Sequence, residues 1–600
     1  MEDVRRNYHR LRMTARRLFR YRKRQVEKVA AQADDTLDRH LFKRFSRLYQ
    51  VRRFVISWTI LLMFIGFGSI WQVRGLDKFY LELGPVAGGI YREGLLGTFT
   101  TANPIFAVDS VDLAVSKLVF SGLFKLSPKG ELQPDLARNI TVDDIGLNYT
   151  VTLRDDVYWH DGEKFNADDV VYTYDTIKNP EVKSPLFTSW SSVKIKQLDE
   201  YTVVFTLPNS LSSFKYSLTN GILPKHALSN VTGADLRSSN FNTVNPIGTG
   251  PFTYKSVEIT GNNIDERAEK VTLDKNDNYF RSRAKIDGIV IRTFRDEERL
   301  QSAFIDKEIN AMVGLRSVSD EVFADDRVQQ FSVPLSSQVM LFLNNSSPIL
   351  NDVKIRRALL KSTDVDGLLS SLNFATIKTD SPFLKSHFTY TSDKVQSDYN
   401  PQEADALFNE AGWLKNEKGI RMKDGKPLEL QFVSQSLTEY ATIAIGLQKQ
   451  WAEQGVIINP LLQQEEDIQS GAVSRHDYDV LLYGISLGPD PDVFAYWHSS
   501  QNDPRLKTRL NLSEYSNAQA DLSLEAGRTR LDEELRKAKY SSFVENWLND
   551  VPAIALYQPR FLYIVRGTFD GFDLGEFTNS TDRFYSVTNW MIRREKMIKM

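Results

Sequence analysis

Three short stretches of this chain hold residues whose types and spacing bear on chemistry: WHDG at 159–162, NPIGTGPF at 245–252 and PDPD at 489–492. The first sets the imidazole of His160 beside the carboxylate of Asp161, a pairing that acid–base catalysis uses. Asp-Gly is also a turn signal and Trp159 a natural packing anchor, so the stretch reads as a turn. The second carries Gly and Pro too densely for a helix or a regular strand and reads as a shaped loop. It lacks the Lys-Ser/Thr ending of a phosphate-cradling loop. The third places Asp490 and Asp492 either side of Pro491, where a pair of carboxylates stabilises a turn. The seven histidines, at 9, 40, 160, 226, 387, 476 and 498, form no helical metal pair, and no G-x-S-x-G elbow is present. The chain has no Cys, which removes disulfides, zinc thiolates and thiol nucleophiles. No enzyme activity, cofactor or metal is expected.

The elements that would position these residues are mixed. Residues 109–124, 355–369, 401–411 and 443–454 show helical apolar spacing, and Pro401 suits a first helical turn. Residues 149–153 and 201–207 alternate with the period of half-buried strands, and 478–484, 551–557 and 561–565 read as further strands. With 42% hydrophobic and 25% charged residues the chain is a folded globular one, of α/β or α+β class.

The run from residue 54 to 73 is apolar on every face and is fenced by Arg52, Arg53 and Arg74. Such a helix spans about the 30 Å of a bilayer's hydrocarbon core and reads as an uncleaved transmembrane signal anchor. The preceding residues 1–53 carry 17 basic and 6 acidic side chains, a net of +11 in a chain of −2, so the remainder is near −13. The positive flank places the amino end in the cytoplasm and the large acidic part outside, as a single-pass protein of the plasma membrane. Residues 4–24 and 37–49 read as basic amphipathic helices that either extend the positive flank, lie on the inner leaflet or dock to a partner. Nucleic acid is an unlikely partner, since no recognised motif accompanies the charge.

Beyond residue 90 the chain resembles the extracytoplasmic solute-binding proteins of dipeptide and oligopeptide (peptide/nickel) ABC transporters, family 5. The resemblance rests on the segment 103–123, PDLA at 134–137, WHDG, NADDVVYTYD at 166–175, NPIGTGPF, NDVKIRRAL at 351–359 and YDVLLYG at 478–484 followed by PDPD, all in family order. It implies a two-lobe, periplasmic-binding-protein-like α/β fold with an extra small domain. Residues 90–126, 207–316 and 556–600 would form lobe I, 127–206 the extra domain and 317–555 the ligand-binding lobe II, with 74–89 a linker. Peptides would be enclosed between the lobes and delivered to ABC permease subunits, an extended ligand pairing with exposed strand edges.

The resemblance points to Tyr483, Gly484, Ile485 and Ser486 as the edge in the larger lobe and to the stretch holding Asn103, Phe106 and Asp109 as its counterpart; Asn345 and Trp497 join the expected site. The first ninety residues have no family counterpart, and an anchor with a basic extension departs from relatives that are free or lipid-anchored. Many peptide-binding relatives hold the ligand's α-amino group with an Asp four residues after the position of Gly484. This chain has Gly488 there, so Asp490 and Asp492 become the candidate replacements. A ligand sensor signalling through the cytoplasmic tail, or a binder of a sugar or nickel chelate, would use the same fold.

Overall fold

The structure, a computed structural model, describes residues 26–31, 52–261, 267–315, 318–372, 374–506 and 509–598, without the side chains of Arg52, Val55 and residues 73–80. The basic helices expected at 4–24 and 37–49 lie outside the described residues. Two compact units are present, Met1–Gly84 with Glu595–Met600, and Pro85–Arg594.

In the first unit the apolar run forms one helix, Arg52–Tyr80, of 29 residues. Its described apolar side chains, including Phe54, Ile56, Leu62, Phe64, Phe67 and Trp71, are all exposed. Among the described residues, which leave out the side chains of Val55 and residues 73–80, no helix is long and apolar enough to cross a membrane. The expected linker at 74–89 is corrected: the helix continues to Tyr80, and the strand Leu81–Val86 then pairs with Arg593–Ile598 in a two-stranded sheet. Arg74-Gly75 is the sequence signal for a helix end near residue 73, but the helix runs through Gly75, and no further Gly or Pro follows before Gly84.

The second unit is built on three sheets. A seven-stranded sheet runs in the order Val328–Pro334, Arg560–Arg566, Ala311–Val313, Ile90–Leu96, Gly288–Phe294, Ala268–Lys275, Phe252–Thr260. A six-stranded sheet runs Ile377–Lys378, Ala553–Gln558, Ser337–Leu343, Val480–Ser486, Phe432–Gln435, Leu461–Gln463. A four-stranded antiparallel sheet, Ala137–Val142, Asn148–Leu153, Thr202–Thr206 and Lys194–Asp199, lies within the residues expected for the small domain. Ser337–Leu343 shows why the six-stranded sheet is central to its lobe. Val339, Leu341 and Leu343 face one core while Met340 and Phe342 face another, so the strand is apolar from Val339 to Leu343 and covered there on both sides.

Two segments join the larger sheets. The chain passes from Val328–Pro334 to Ser337–Leu343, and returns from Ala553–Gln558 to Arg560–Arg566 through Pro559. The passages are bonded to each other: Leu335 N donates to the Pro559 carbonyl at 3.0 Å, and Gln558 Nε2 donates to the Leu335 carbonyl at 2.9 Å. The expected lobe boundaries shift accordingly. Val328–Pro334 pairs along its whole length with Arg560–Arg566, so the crossing falls at 334–337 and not at 317, and the return falls at 558–560.

The motifs brace this frame. Asn166 and Asp169 form a capping box on the helix Ala167–Lys178, and Asp169 also accepts from Trp159 Nε1 at 3.2 Å. His160 accepts from Gly248 N and donates from Nε2 to the Gly250 carbonyl at 3.1 Å, so WHDG sits on the NPIGTGPF loop. Burial pushes the His160 imidazole down to about 4, which keeps it neutral for these two bonds. At Gly248 a Cβ would lie 1.9 Å from the Val119 carbonyl oxygen, so the loop reaches the end of the helix Ser110–Val119 only because no side chain intervenes.

Candidate functional site

The strand Val480–Ser486 is paired on its two sides to different lengths. Against Ser337–Leu343 the antiparallel register is complete, from Ser337 opposite Ser486 to Leu343 opposite Val480. Against Phe432–Gln435 the parallel register stops at Ser434 opposite Leu482. From Tyr483 onward one edge therefore has no strand partner among the described residues, and its main chain is open to an extended ligand. Gly484 brings that edge close to a neighbour, since a Cβ there would lie 2.9 Å from the Tyr440 hydroxyl. The Ser486 carbonyl accepts from Tyr496 Oη at 2.6 Å, and the Tyr483 hydroxyl accepts from Gln469. Burial raises the Tyr483 pKa above its ordinary value, with the charge of Glu465 adding to the shift, so the hydroxyl stays protonated.

Beside this edge lies a cavity of about 410 Å³ that draws its walls from both large sheets. Gly484, Ile485, Ser486 and Val339 contribute from one, Gly314, Leu315, Phe561 and Leu562 from the other, and Leu335 and Pro559 from the crossings. The strand Val480–Ser486 ends at it, and the helix Thr438–Glu453 begins at it with Glu439 and Tyr440. Crevices at the carboxyl ends of parallel strands are where open α/β sheets bind ligands. The volume lies within the range of ligand pockets, and the lining combines apolar surface with few polar groups.

The sequence-derived candidates divide. Gly484, Ile485 and Ser486 line the cavity and Tyr483 precedes them on the strand; the remaining candidates are not among its lining residues. Asn103 is buried and committed to its own turn, its Nδ2 donating to Asn242 Oδ1 at 2.9 Å and its Oδ1 accepting from Ile105 N at 3.1 Å. Phe106 is buried beneath the Arg237 guanidinium, 4.4 Å from the ring centre, whereas Asp109 is exposed just ahead of the helix Ser110–Val119. Asn345 is half-buried, its main-chain N–H donating to the Ser513 carbonyl. Trp497 is a core residue packed on Phe342 and Trp547.

Neither acid offered for the missing amine contact is available for it. Asp490 is buried and takes both ends of the Arg536 guanidinium, at 2.9 and 2.6 Å. Asp492 accepts from Arg528 and from Ser213 Oγ, each at 3.1 Å. Each is held in an ion pair with an arginine of a distant helix, Asp490 through both oxygens and Asp492 through Oδ2. At Gly488, where relatives carry the acid, φ is +69° and the carbonyl accepts from His387 Nε2 at 2.9 Å. Missed from the sequence were Glu439, Tyr440 and Arg560. The only signal for Arg560 was Pro559, which interrupts two otherwise continuous strand patterns.

Residues 131–505 match the family model described as bacterial extracellular solute-binding proteins, family 5 middle. The oligopeptide-binding protein AppA of Bacillus subtilis is 25% identical over 520 residues, covering 85% of this chain and 93% of that protein. Its structure in complex with a nonapeptide superimposes with a TM-score of 0.68, over 85% of this chain and all of that one. The structure of NikZ from Campylobacter jejuni, in complex with Ni(L-His), is 26% identical and superimposes with a TM-score of 0.69 over 84% of this chain and 99% of that one.

Proposed function

This chain belongs to the bacterial extracellular solute-binding proteins of family 5, which bind and do not transform their ligands, and from that premise we propose that it captures peptides outside the cytoplasm for import by an ABC permease. The observation that carries the peptide reading is the half-open edge from Tyr483 to Ser486 beside a cavity walled by both sheets. An extended peptide pairs there through its main chain, which gives affinity with little demand on its side chains. The similarity to AppA, solved with a nonapeptide, supports the same ligand class.

The anchoring belongs to the same proposal. The helix Arg52–Tyr80 exposes apolar side chains along its described length from Phe54 to Trp71, and the basic residues before it favour a cytoplasmic amino end. In this reading it crosses the membrane once and keeps the binding unit outside. The protein would then stay in the membrane pellet through alkaline carbonate washing; release into the supernatant removes the anchor.

The ligand test is native mass spectrometry of the full chain, purified in detergent without refolding. A ladder of co-purifying peptide masses is expected, and Gly484→Phe should abolish it by driving a ring into Tyr440 and the open edge. A single non-peptide mass, such as a sugar or a nickel chelate, overturns the peptide assignment and leaves the fold family in place.

A further inference from the structure

The buried and half-buried arginines of this protein are, with few exceptions, matched to acids. Arg536 pairs with Asp490, Arg583 with Glu93, Arg421 with Asp405 and Arg509 with Glu514. Arg560 differs. It lines the interlobe cavity, its Nη2 donates to the Ser332 carbonyl at 3.2 Å, and its Nε is buried without an acceptor. Among the described residues no carboxylate lies within 4.0 Å of it. Arg560 is half-buried, so its guanidinium faces the cavity with donors that none of the described carboxylates takes up and that an anionic ligand group would fill.

We propose that Arg560 is an anion-binding residue of this cleft and receives a carboxylate of the ligand. The inference rests on the peptide reading above and goes further by assigning which end or side chain of the ligand is held at the crossing between the lobes. The surroundings agree. Arg560 is the one cationic residue in the lining and Glu439 the one acidic residue, so a ligand carboxylate has a single favourable place. The helix Thr438–Glu453 opens on the same cavity with Glu439 in its first turn, so that wall is acidic and directs a ligand carboxylate away from it and toward Arg560. The opposite recognition, of an ammonium group by Asp490 or Asp492, is closed off by Arg536 and Arg528. Arg560 also sits on the return crossing, directly after Pro559, so a ligand bonded to it touches a segment that links the lobes.

The test is calorimetric titration of the full chain in detergent with a random peptide library supplied as free acids, as C-terminal amides, and as amides each carrying one internal Glu. Wild type should bind the free acids about tenfold to a hundredfold more tightly than the amides, the worth of a charge-assisted hydrogen bond in a shielded site. Arg560→Gln should erase that difference, and Arg560→Lys should restore part of it. Recovery of affinity by the Glu-bearing amides, in wild type but not in Arg560→Gln, assigns the carboxylate to a side chain; no recovery assigns it to the C-terminus. Equal binding of acids, amides and Glu-bearing amides by wild type, or a carboxylate preference that survives in Arg560→Gln, overturns the inference while leaving peptide capture intact. If no library binds, the peptide reading itself falls and the inference goes with it.

Discussion

Asp490 illustrates how a single side chain changes meaning between sequence and structure. From the chain alone it stands two residues beyond the place where relatives hold an amine, and nothing nearby marks Arg536, 46 positions later, as its partner. Once both ends of that guanidinium are seen on it, substitution becomes a question of stability. Asp490→Asn should cost about 3–5 kcal/mol by leaving a buried cation uncompensated. Thermal unfolding should register that loss, and affinities for free-amine and amine-blocked peptides should change by the same factor; a loss confined to free amines would restore Asp490 to the site. His160 supports a second measurement. Its folded-state pKa of about 4 lies below the unfolded value near 6.5, so between those values the unfolded chain binds more protons and stability rises with pH. The contribution is complete above about pH 6.5 and is lost as pH falls toward 4, amounting to at most about 3 kcal/mol. Denaturant unfolding at a series of pH values should show this slope in wild type, and His160→Gln should flatten it across that window.

Elements were legible where periodicity and local chemistry agree. The alternation at 149–153 is the strand Asn148–Leu153, with Tyr149, Val151 and Leu153 buried, and Pro401 opens its helix behind an Asn400 cap. The helix expected over 355–369 is two, Val353–Lys361 and Val365–Ser370, because Asp364 caps the second and Ser362 and Thr363 bond back to the first. What the sequence could not carry is how far a strand stays paired. The open edge at Tyr483 depends on where Phe432–Gln435 stops, and the cavity depends on six separate stretches of the chain. The NPIGTGPF loop was recognised as shaped, but its purpose appears only in its approach to the Ser110–Val119 helix. Gly248→Ala should therefore be among the most damaging single-methyl additions available. The new Cβ meets the Val119 carbonyl, so the loop must retreat, and a destabilisation of about 2–4 kcal/mol is expected from calorimetric melting. A melting temperature within a degree or so of wild type would show that the loop moves without cost.

The whole molecule joins its two large sheets through two bonded passages, and further polar contacts bridge distant segments: Ser210 and Ser212 donate to the carbonyls of Thr529 and Arg528. A ligand that touches both walls of the cavity favours whichever arrangement brings them together, by its difference in affinity for the two. The absence of Cys makes this measurable, because dyes on Lys194→Cys and Lys426→Cys, both at exposed positions, are the only thiol adducts. Energy transfer between them should rise when peptide is added to the full chain, and identical transfer with and without ligand would argue against closure. The order of the seven strands has a bearing on synthesis as well. Val328–Pro334 and Ala311–Val313 both need Arg560–Arg566 beside them, yet that strand emerges only after the entire second lobe has been made. At about 5–20 residues per second the roughly 230 intervening residues leave a nascent sheet incomplete for about 10–45 s. During that interval a sticky edge would invite aggregation, and the two waiting strands are built to be poor templates: one is three residues long, the other carries Gln329, Gln330 and a closing Pro334. The order of synthesis is thus met by the composition of these strands, separately from anything the ligand requires.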